Sequence, residues 1–579
     1  MLNCYAYPFR ILLATLLLAF RLPATAQAPA WQSARAVAVA TAAATDNFSA
    51  VTATAVDAAG NVYVAGVFHN TVVLGGSTLT SLGSDDMFVA KFNPVSNQFA
   101  WAQRAGGTGS EMVKALVVSG NSVYVAGGFN SPQAGFGTTT LTPTAGAFNS
   151  SDVFVAKLTD TGSAGVFAWA QGAGGAGSEY AYALAVSGAN LYVTGVFGSN
   201  SASFGTTTLT NVGLMPTYDV FVAKLIDAGS TGNFVWAQQA GGANGDGAYA
   251  LAVSGASLYV AGSFSSPTAN FGTTSLANAG TSNLYVAKLT DAGSTGSFVW
   301  AQRAGGTGDD FATALAVSGA SVYVAGLFRS PTAGFGPVVL ANAGATMGLA
   351  DVFVAKLTDA GSTGGFAWAQ RAGGTDTDEA TALAASGTSV YVTGTFGSST
   401  AGFGSATLTN AGAGPGSFDV FVAKLTDAGS TGSFAWAQRA GGTGYDAATA
   451  LAASGTGVYV AGYVNSPTAG FGTITLSNPT PPSTLSFLAV LTDPIPTATT
   501  AAGTRAPLAL FPNPARRTVA LRLPAGATPA PLTLTDALGR AVRQYPAPAG
   551  PEATLDLLGL PAGYYLLHGT GPALRLLVE

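Results

Sequence analysis

The sequence predicts an all-β protein: a seven-bladed β-propeller with four-stranded blades, followed by a small Ig-like β-sandwich. Three observations predict this fold. Seven tryptophans recur at steps of 64 to 70 residues. Each interval holds four short apolar runs separated by Gly, Ser, Asp and Thr, which is typical of strands joined by turns. The repetition stops near Pro494, and a different C-terminal stretch of the 579-residue chain follows.

The period is visible in three motifs. The tryptophans are Trp31, Trp101, Trp169, Trp236, Trp300, Trp368 and Trp436. A V-Y-V-A-G motif recurs with its tyrosine at Tyr63, Tyr124, Tyr192, Tyr259, Tyr323, Tyr391 and Tyr459. An F-V-A-K motif begins at Phe88, Phe154, Phe221, Tyr285, Phe353 and Phe421, and degenerates at Phe487. A fixed period of this size indicates a solenoid, a propeller or an array of domains.

Strand character favours the propeller. The predicted strands are 5 to 7 residues long and apolar on both faces, as Val322 to Phe328 illustrates. Strands of an outer-membrane barrel need about 9–11 residues with one polar face. Strands that are apolar on both faces fit a sheet packed between neighbouring sheets, as in stacked blades.

The ends of the repeat region predict ring closure. The region begins at Trp31, in what is elsewhere the fourth strand, and ends at Phe487 to Leu491, elsewhere the third strand. We therefore expect the first strand of the chain to complete the last blade, and we assign residues 27–493 to the propeller.

The first 26 residues are typical of a Sec signal peptide. Arg10 precedes the apolar run Ile11 to Phe20, and Ala24 to Ala26 supplies small residues at the cleavage site. The run is too short for a transmembrane helix, which needs about 20 residues. We expect a secreted protein without a transmembrane segment.

A distinct module occupies residues 506–579, after a Pro/Thr/Ala-rich linker at 494–505. It contains a Phe-Pro-Asn-Pro opening, a D-x-x-G-R-x-V hairpin and an L-x-x-G-x-Y strand pair. In this order the motifs resemble the type A C-terminal sorting domain of type IX secretion. The resemblance implies export through a Bacteroidetes-type outer membrane, with the secretion machinery and a sortase as partners, then release or surface attachment. The matching residues are Pro512, Asn513, Pro514, Asp536, Gly539, Arg540, Gly563 and Tyr565.

The repeats resemble the SBBP-type β-propeller repeat of secreted bacterial proteins. Asp57 to Gly66, the D-V-F-V-A-K strand at Asp152 and the W-A-Q-R-A-G-G segments carry the resemblance. It implies a binding or structural role. The Asp-x-x-Gly-Asn turn occurs only in the first unit, which weakens a ligand role for this turn.

Acidic residues are predicted to gather on one face. One register before the inner strand holds Glu111, Glu179, Asp246, Asp310, Asp378 and Asp446. A second register, before the F-V-A-K strand, holds Asp86, Asp152, Asp219, Asp351 and Asp419, with Asn283 and Ser486 in the remaining repeats. The first set could form a Ca²⁺-binding ring, because Ca²⁺ prefers several oxygen ligands. Because six repeats share the residue type, we favour caps of loop N–H groups or Arg pairing.

Two further expectations concern residues shared by the repeats. The tryptophans could be sugar-stacking platforms, although wedges between blades explain seven copies at one register more simply. The lysines of F-V-A-K are expected at solvated strand ends, paired with the Asp three residues later.

Composition excludes several function classes. The chain has one Cys and two His, so a disulfide framework and a Cys/His zinc site are excluded. The formal net charge of −5 argues against nucleic-acid binding.

Our preferred hypothesis is a non-catalytic, secreted or surface-attached binding protein, expected as a monomer. Its acidic face would contact a glycan, a cation-bridged polymer or another surface protein. The alternative is a secreted polysaccharide hydrolase or lyase, which would need a unique acid/base set. The sequence shows none around His69, which is expected in a loop.

Overall fold

A computed structural model describes residues 28–40, 47–144, 150–213, 217–344, 348–412, 414–481, 483–493, 509–523, 530–536, 540–550, 552–569 and 571–579. The predicted signal peptide, the linker at 494–505 and Gly539 lie outside these ranges. The chain divides into two compact units, Met1–Pro494 and Ile495–Glu579. They are called the repeat unit and the C-terminal unit.

The fold is all-β, as predicted: the described regular elements are strands in small antiparallel sheets. In each repeat four strands, a to d, are paired in the order a–b–c–d. Strands a are Phe48–Val56, Glu111–Ser119, Glu179–Ser187, Asp246–Ser254, Asp310–Ser318, Asp378–Ser386 and Asp446–Ser454. Strands b are Val62–Leu74, Ser122–Phe129, Asn190–Phe197, Ser257–Phe264, Ser321–Phe328, Ser389–Phe396 and Gly457–Val464.

The outer two strands complete each sheet. Strands c are Ser77–Asn93, Asp152–Asp160, Asp219–Asp227, Asn283–Asp291, Asp351–Asp359, Asp419–Asp427 and Leu485–Thr492. Strands d of repeats 1 to 6 are Gln98–Ala105, Gly165–Gly175, Gly232–Ala240, Gly296–Ala304, Gly364–Ala372 and Gly432–Ala440. Most are longer than the 5 to 7 residues expected, because their polar first and last residues also pair.

Strand d of repeat 7 comes from the start of the chain. Trp31–Ala36 pairs antiparallel with Leu485–Thr492, strand c of repeat 7. This is the pairing that the ends of the repeat region predict. The short strand Val39–Ala40 then pairs with strand b of repeat 1, so the same segment bridges the last sheet and the first.

The b-to-c connections of repeats 2 to 7 contain an added hairpin built on the Phe-Gly segment. Its strand pairs are Ala134–Phe136 with Thr139–Leu141, Ser201–Phe204 with Thr207–Thr210, Thr268–Phe271 with Thr274–Ala277, Thr332–Phe335 with Val338–Ala341, Thr400–Phe403 with Ala406–Thr409, and Thr468–Phe471 with Ile474–Ser477. In repeat 1 the same hairpin continues strands b and c.

The glycine of V-Y-V-A-G lies where strand a bulges. In repeat 4 the a–b register shifts between Ala248 and Ala250, opposite Gly262. A Cβ on Gly262 would stand 1.9 Å from the carbonyl oxygen of Gly247. Two backbones approach this closely only without a side chain, which is how glycine is used at bulges.

The hydrophobic core is divided into layers between consecutive sheets. One cluster joins Trp101 of repeat 1 to Phe154 of repeat 2, and equivalent clusters follow along the chain. Another joins Tyr459 of repeat 7 to Phe88 of repeat 1, so the last sheet packs against the first. Strands buried on both faces explain the low charged fraction, 8%.

The C-terminal unit has two antiparallel sheets around one core. One contains Ala509–Phe511, Thr518–Arg522 and Glu552–Asp556, and the other contains Leu532–Asp536, Ala541–Tyr545, Gly563–Gly569 and Gly571–Val578. Leu521 of the first sheet and Leu534 of the second belong to the same buried cluster. The L-x-x-G-x-Y strand pair is not a hairpin, because its two strands lie in different sheets.

Candidate functional site

The six predicted ring acids are scaffold residues. Each is the first residue of strand a and is buried. The Asp246 carboxylate accepts hydrogen bonds from Gly242 N at 2.7 Å, Ser266 N at 3.2 Å and Ser266 Oγ at 2.7 Å. Corresponding bonds from a glycine N–H and a serine N–H are made by Glu111, Glu179, Asp310, Asp378 and Asp446. The carboxylates therefore join the loop before strand a to the loop after strand b.

The Ca²⁺ alternative gains no support from this geometry. The ring oxygens are occupied by backbone amides and serine hydroxyls. Within the described ranges no group of three or more His, Cys, Asp or Glu side chains is placed to hold a metal.

The second register faces the first at the six junctions between consecutive repeats from 1 to 7. Asp219 starts strand c of repeat 3, and Asp246 starts strand a of repeat 4. A Cβ on Gly241 would stand 2.4 Å from Asp219 Oδ1 and 2.9 Å from Asp246 Oδ2. We call such a couple an acid pair. The others are Asp86 with Glu111, Asp152 with Glu179, Asp351 with Asp378, and Asp419 with Asp446. Between repeats 4 and 5 the pair is Asn283 with Asp310.

Burial is the largest cause of the raised pKa values in the acid pairs. It raises the pKa of Asp219 to about 6 and that of Asp378 to about 7, and the facing carboxylate adds to both shifts. Five Oδ1 atoms of the second register are buried without a hydrogen-bond partner: those of Asp86, Asp152, Asp219, Asp351 and Asp419. An unpartnered buried carboxylate oxygen favours the protonated acid.

The predicted acidic face is wrong as a surface property. All eleven acids of the acid pairs and of the Asn283 junction are buried. Arg104, Arg371 and Arg439 additionally pair with Asp86, Asp351 and Asp419. The acids lie at the predicted end of the sheets. They are enclosed there and cannot contact a large ligand.

The lysines also differ from expectation. Lys224 is buried, and its Nζ lies 2.6 Å from Asp291 Oδ2 in the next repeat instead of bonding the Asp three residues later. Asp291 also accepts hydrogen bonds from Tyr192 OH at 2.8 Å and Trp236 Nε1 at 3.0 Å. We call this arrangement a junction clasp. The other five are centred on Asp160, Asp227, Asp359, Asp427 and Asp493.

The clasp explains three repeated motifs at once. The tyrosine of V-Y-V-A-G, the lysine of F-V-A-K and the tryptophan all donate to one carboxylate of the following repeat. The tryptophans are buried between sheets, which fits wedges and not exposed sugar platforms.

The junction between repeats 7 and 1 has neither an acid pair nor a junction clasp among the described residues. Val490 aligns with the clasp lysine, and Pro94 aligns with the clasp aspartate. The register also corrects the predicted role of Ser486, because Leu485 pairs with Val464 where Asp419 pairs with Phe396. Ser486 Oγ instead accepts a hydrogen bond from Ser49 Oγ at 3.0 Å. At this junction the pairing of Trp31–Ala36 with strand c of repeat 7 and of Val39–Ala40 with strand b of repeat 1 joins the two sheets.

A pocket that has no equivalent in the repeat pattern lies beside the first residues of strand a in repeats 3, 4 and 5. It has a volume of about 330 Å³ and is lined by Tyr180, Tyr182, Tyr218, Tyr249 and Phe311, with Ser263, Ser265 and Gly247 among the remaining residues. We call it the tyrosine pocket. The ring centroids of Tyr182 and Tyr249 are 5.4 Å apart, and the ring planes are inclined by 68°.

Local sequence differences create this pocket. The position of Gly247 is occupied by Phe311 in repeat 5 and by Glu379 in repeat 6. A Cβ on Gly247 would stand 2.6 Å from Tyr249 OH, so glycine leaves room for that ring. Burial raises the pKa of Tyr182 to about 12, so its hydroxyl is neutral and can donate at physiological pH.

A central cavity of about 220 Å³ adjoins the tyrosine pocket. Residues from strand a of all seven repeats line it. Tyr182 and Tyr249 line both spaces. Lys114 also lines the cavity.

His69 does not lie in a loop. It belongs to strand b of repeat 1, and its Nδ1 lies 3.2 Å from Asp85 Oδ1 on strand c.

Four of the residues that match the sorting-domain motifs make side-chain hydrogen bonds within the C-terminal unit. Asn513 Nδ2 donates to Arg575 O at 2.7 Å, and Asn513 Oδ1 accepts from Leu577 N at 2.9 Å, so the opening between Pro512 and Pro514 ties to the last strand. Asp536 accepts from Arg540 N and Nε across the hairpin turn. Tyr565 OH donates to Pro561 O at 2.7 Å, two residues before Gly563.

Sequence reasoning missed the tyrosine pocket. The signal was present: three residues after the ring-acid register of strand a, Tyr182 and Tyr249 stand where four other repeats have threonine. These tyrosines sit in an apolar run, where strand patterning alone does not distinguish a core residue from a pocket residue.

Comparison with known proteins adds little. No family model matches the chain, and no curated protein matches it. Among solved structures it is similar to a protein of unknown function from Dyadobacter fermentans DSM 18053, with 9% identity, a TM-score of 0.33, and coverage of 80% of this chain and 100% of that chain. In the part of this chain that the structure describes, no helix has the length and apolar character to span a membrane.

Proposed function

We propose that the protein is a non-catalytic glycan-binding protein of the cell exterior, with the tyrosine pocket as its ligand site. The observation that carries the proposal is the break in repetition: four tyrosines and a phenylalanine meet at one place on an otherwise repeated scaffold. A pocket lined by several aromatic side chains and a few polar groups is typical of small-ligand sites.

The scaffold in this proposal is a seven-bladed β-propeller. Three features support it: a cavity lined by strand a of every repeat, core layers between consecutive sheets including the last and the first, and the completion of sheet 7 by Trp31–Ala36. In such a closed ring each sheet packs against a neighbouring sheet on both of its faces.

A sugar fits the chemistry of the pocket. The faces of aromatic rings are electron-rich and attract the C–H groups of a pyranose face, while tyrosine hydroxyls can bond the sugar hydroxyls. Ser263 and Ser265 add polar groups at the wall. Asp246 is the one carboxylate among the lining residues described, and its oxygens are already bonded to amides and to Ser266.

The enzymatic alternative has weaker support. The acid pairs resemble in number and proximity the two carboxylates of glycosidases, but they are buried and recur at five junctions. A glycosidic bond must lie between accessible carboxylates to be cleaved.

Export is the second part of the proposal. A Sec signal peptide at 1–26, SBBP-type repeats and a type IX sorting domain at 506–579 would take the protein to the cell surface or release it. The hydrogen bonds of Asn513, Asp536 and Tyr565 support a structural role for the motif residues. Deletion of residues 506–579 in a bacterium with type IX secretion should retain the protein in the periplasm; unchanged export would refute this part.

The glycan proposal is tested with a glycan array followed by calorimetric titration. Tyr182→Thr and Tyr249→Thr are suitable variants, because threonine occupies the same register in four other repeats and should preserve the fold. Both variants should lose binding of the glycan that the wild-type protein selects. Tyr445→Ala, outside the pocket, should retain it. An array without any bound glycan, or variants that bind as the wild type does, would overturn the proposal.

A further inference from the structure

The residue three positions after the ring-acid register of strand a, a register occupied by Ser49 in repeat 1, divides the seven repeats into two groups. In four repeats it is a threonine whose Oγ1 donates to a backbone carbonyl of the neighbouring strand a, as Thr381 does to Ala448 O at 2.7 Å. The others are Thr52, Thr313 and Thr449. In the three consecutive repeats 2, 3 and 4 the residue is Lys114, Tyr182 or Tyr249. These three long side chains line the central cavity.

Lys114 is the cation of this cavity. Among the described residues that line it, none carries a carboxylate. No ion pair of Lys114 is present in the part of the chain that the structure describes, whereas the six clasp lysines each have one. Partial desolvation by the surrounding atoms lowers the pKa of Lys114, although the residue is exposed to solvent, and an anion close to its ammonium group would stabilise the charge.

The cavity that Lys114 lines and the tyrosine pocket share two wall residues. Tyr182 follows Lys114 by one repeat at the same register, and Tyr182 and Tyr249 border both the pocket and the cavity. A sugar stacked on these two rings therefore has a side that faces the cavity. A neutral sugar would offer Lys114 no counter-charge, whereas an anionic substituent on that side would supply one.

We propose that Lys114 binds a singly charged anionic substituent, a carboxylate or a sulfate ester, on a glycan held by Tyr182 and Tyr249. The inference rests on the glycan-binding function proposed above and specifies its ligand class as acidic saccharides. One ammonium group matches one negative charge, and it offers three donors without the planar fork of arginine.

The test uses the full-length mature protein and three defined probes: oligogalacturonate, a sulfated galactan oligosaccharide and a neutral galacto-oligosaccharide. Affinities are measured by calorimetry for the wild type, Lys114→Thr and Tyr182→Thr. Lys114→Thr restores the residue found in four repeats, and Lys114→Met is the second variant should the first fail to fold. The wild type should bind an acidic probe at least about tenfold more tightly than the neutral one, which corresponds to about 1.4 kcal/mol.

The outcomes separate the two proposals. Lys114→Thr should lose the preference for the acidic probe and keep neutral binding, and Tyr182→Thr should lose binding of all three. If Lys114→Thr binds the acidic probes as the wild type does while Tyr182→Thr loses binding, the role of Lys114 is refuted and the glycan site stands. If the wild type binds none of the probes, and no other glycan on the array, both proposals fail. Comparison of the two acidic probes distinguishes carboxylate from sulfate.

Discussion

Replacement of Asp291 with Asn removes the charged acceptor of one junction clasp. Four donors converge on this carboxylate: Lys224 Nζ at 2.6 Å, Tyr192 OH, Trp236 Nε1 and Gly293 N. The side chains of Lys224 and Asp291 are only 3% and 7% exposed. The variant leaves the ammonium group buried without its counter-ion and turns an amide NH₂ toward groups that also donate.

The expected loss follows from this burial. Breaking a buried ion pair by removing one partner costs about 3–5 kcal/mol, whereas an exposed pair contributes about 0–1 kcal/mol. Burial alone would raise the pKa of Asp291, but the bonds from Lys224, Tyr192 and Trp236 outweigh it and lower the pKa. The carboxylate is thus stabilised in its charged form. Because the asparagine oxygen can still accept from one or two donors, we expect about 3 kcal/mol.

Urea unfolding followed by tryptophan fluorescence measures this loss. Asp309→Asn is the matched control, since Asp309 is a half-buried aspartate before strand a, at the other end of the sheets. The control should change the free energy of unfolding by no more than about 0.5 kcal/mol, as surface substitutions usually do. A loss below about 1 kcal/mol for Asp291→Asn, or equal losses in both variants, would refute the clasp as a buried, stabilising junction.

Three other predictions concern the scaffold. Burial raises the pKa of acid-pair residues, to about 7 for Asp378, so the folded state binds more protons than the unfolded state. The free energy of unfolding should therefore rise as the pH falls from 8 to 5. A urea midpoint that is equal or lower at pH 5 would contradict this. The clasp bonds lower the pKa of Asp160 to about 2, so their contribution should be lost progressively as the pH falls from the unfolded value of about 3.9 to about 2, which places the optimum near pH 4–5. A urea midpoint still rising from pH 4 to pH 3 would be inconsistent with it. Gly326→Ala should abolish soluble expression, because its Cβ would stand 1.9 Å from Phe311 O. The control Gly365→Ala, with open space around the new Cβ, should express normally. A soluble, wild-type-like Gly326→Ala would show that the bulge of strand a tolerates a side chain.

The repeat architecture could be predicted because it depends on period and apolarity alone. Seven tryptophans at one spacing and strands apolar on both faces are sufficient to expect sheets packed on sheets. The partner of each lysine could not be predicted in the same way. Asp227 is three residues from Lys224, whereas Asp291 is 67 residues away and becomes adjacent only when repeats 3 and 4 pack together.

The candidate site was the harder part for a related reason. The acids of one register, such as Asp246, suggested a charged surface, but the loops fold over them and supply amide donors that allow burial. The tyrosine pocket depends on Gly247 making space for Tyr249, a contact that strand patterning does not reveal. Departures from the repeat consensus were a better guide to the site than the consensus itself.

The most direct measurement is a crystal structure of the mature protein soaked with an acidic oligosaccharide. The account predicts density for one sugar ring against Tyr182 and Tyr249, with its anionic group within hydrogen-bond distance of Lys114 Nζ. Density for the saccharide at another surface, with the tyrosine pocket empty at saturating ligand, would contradict it.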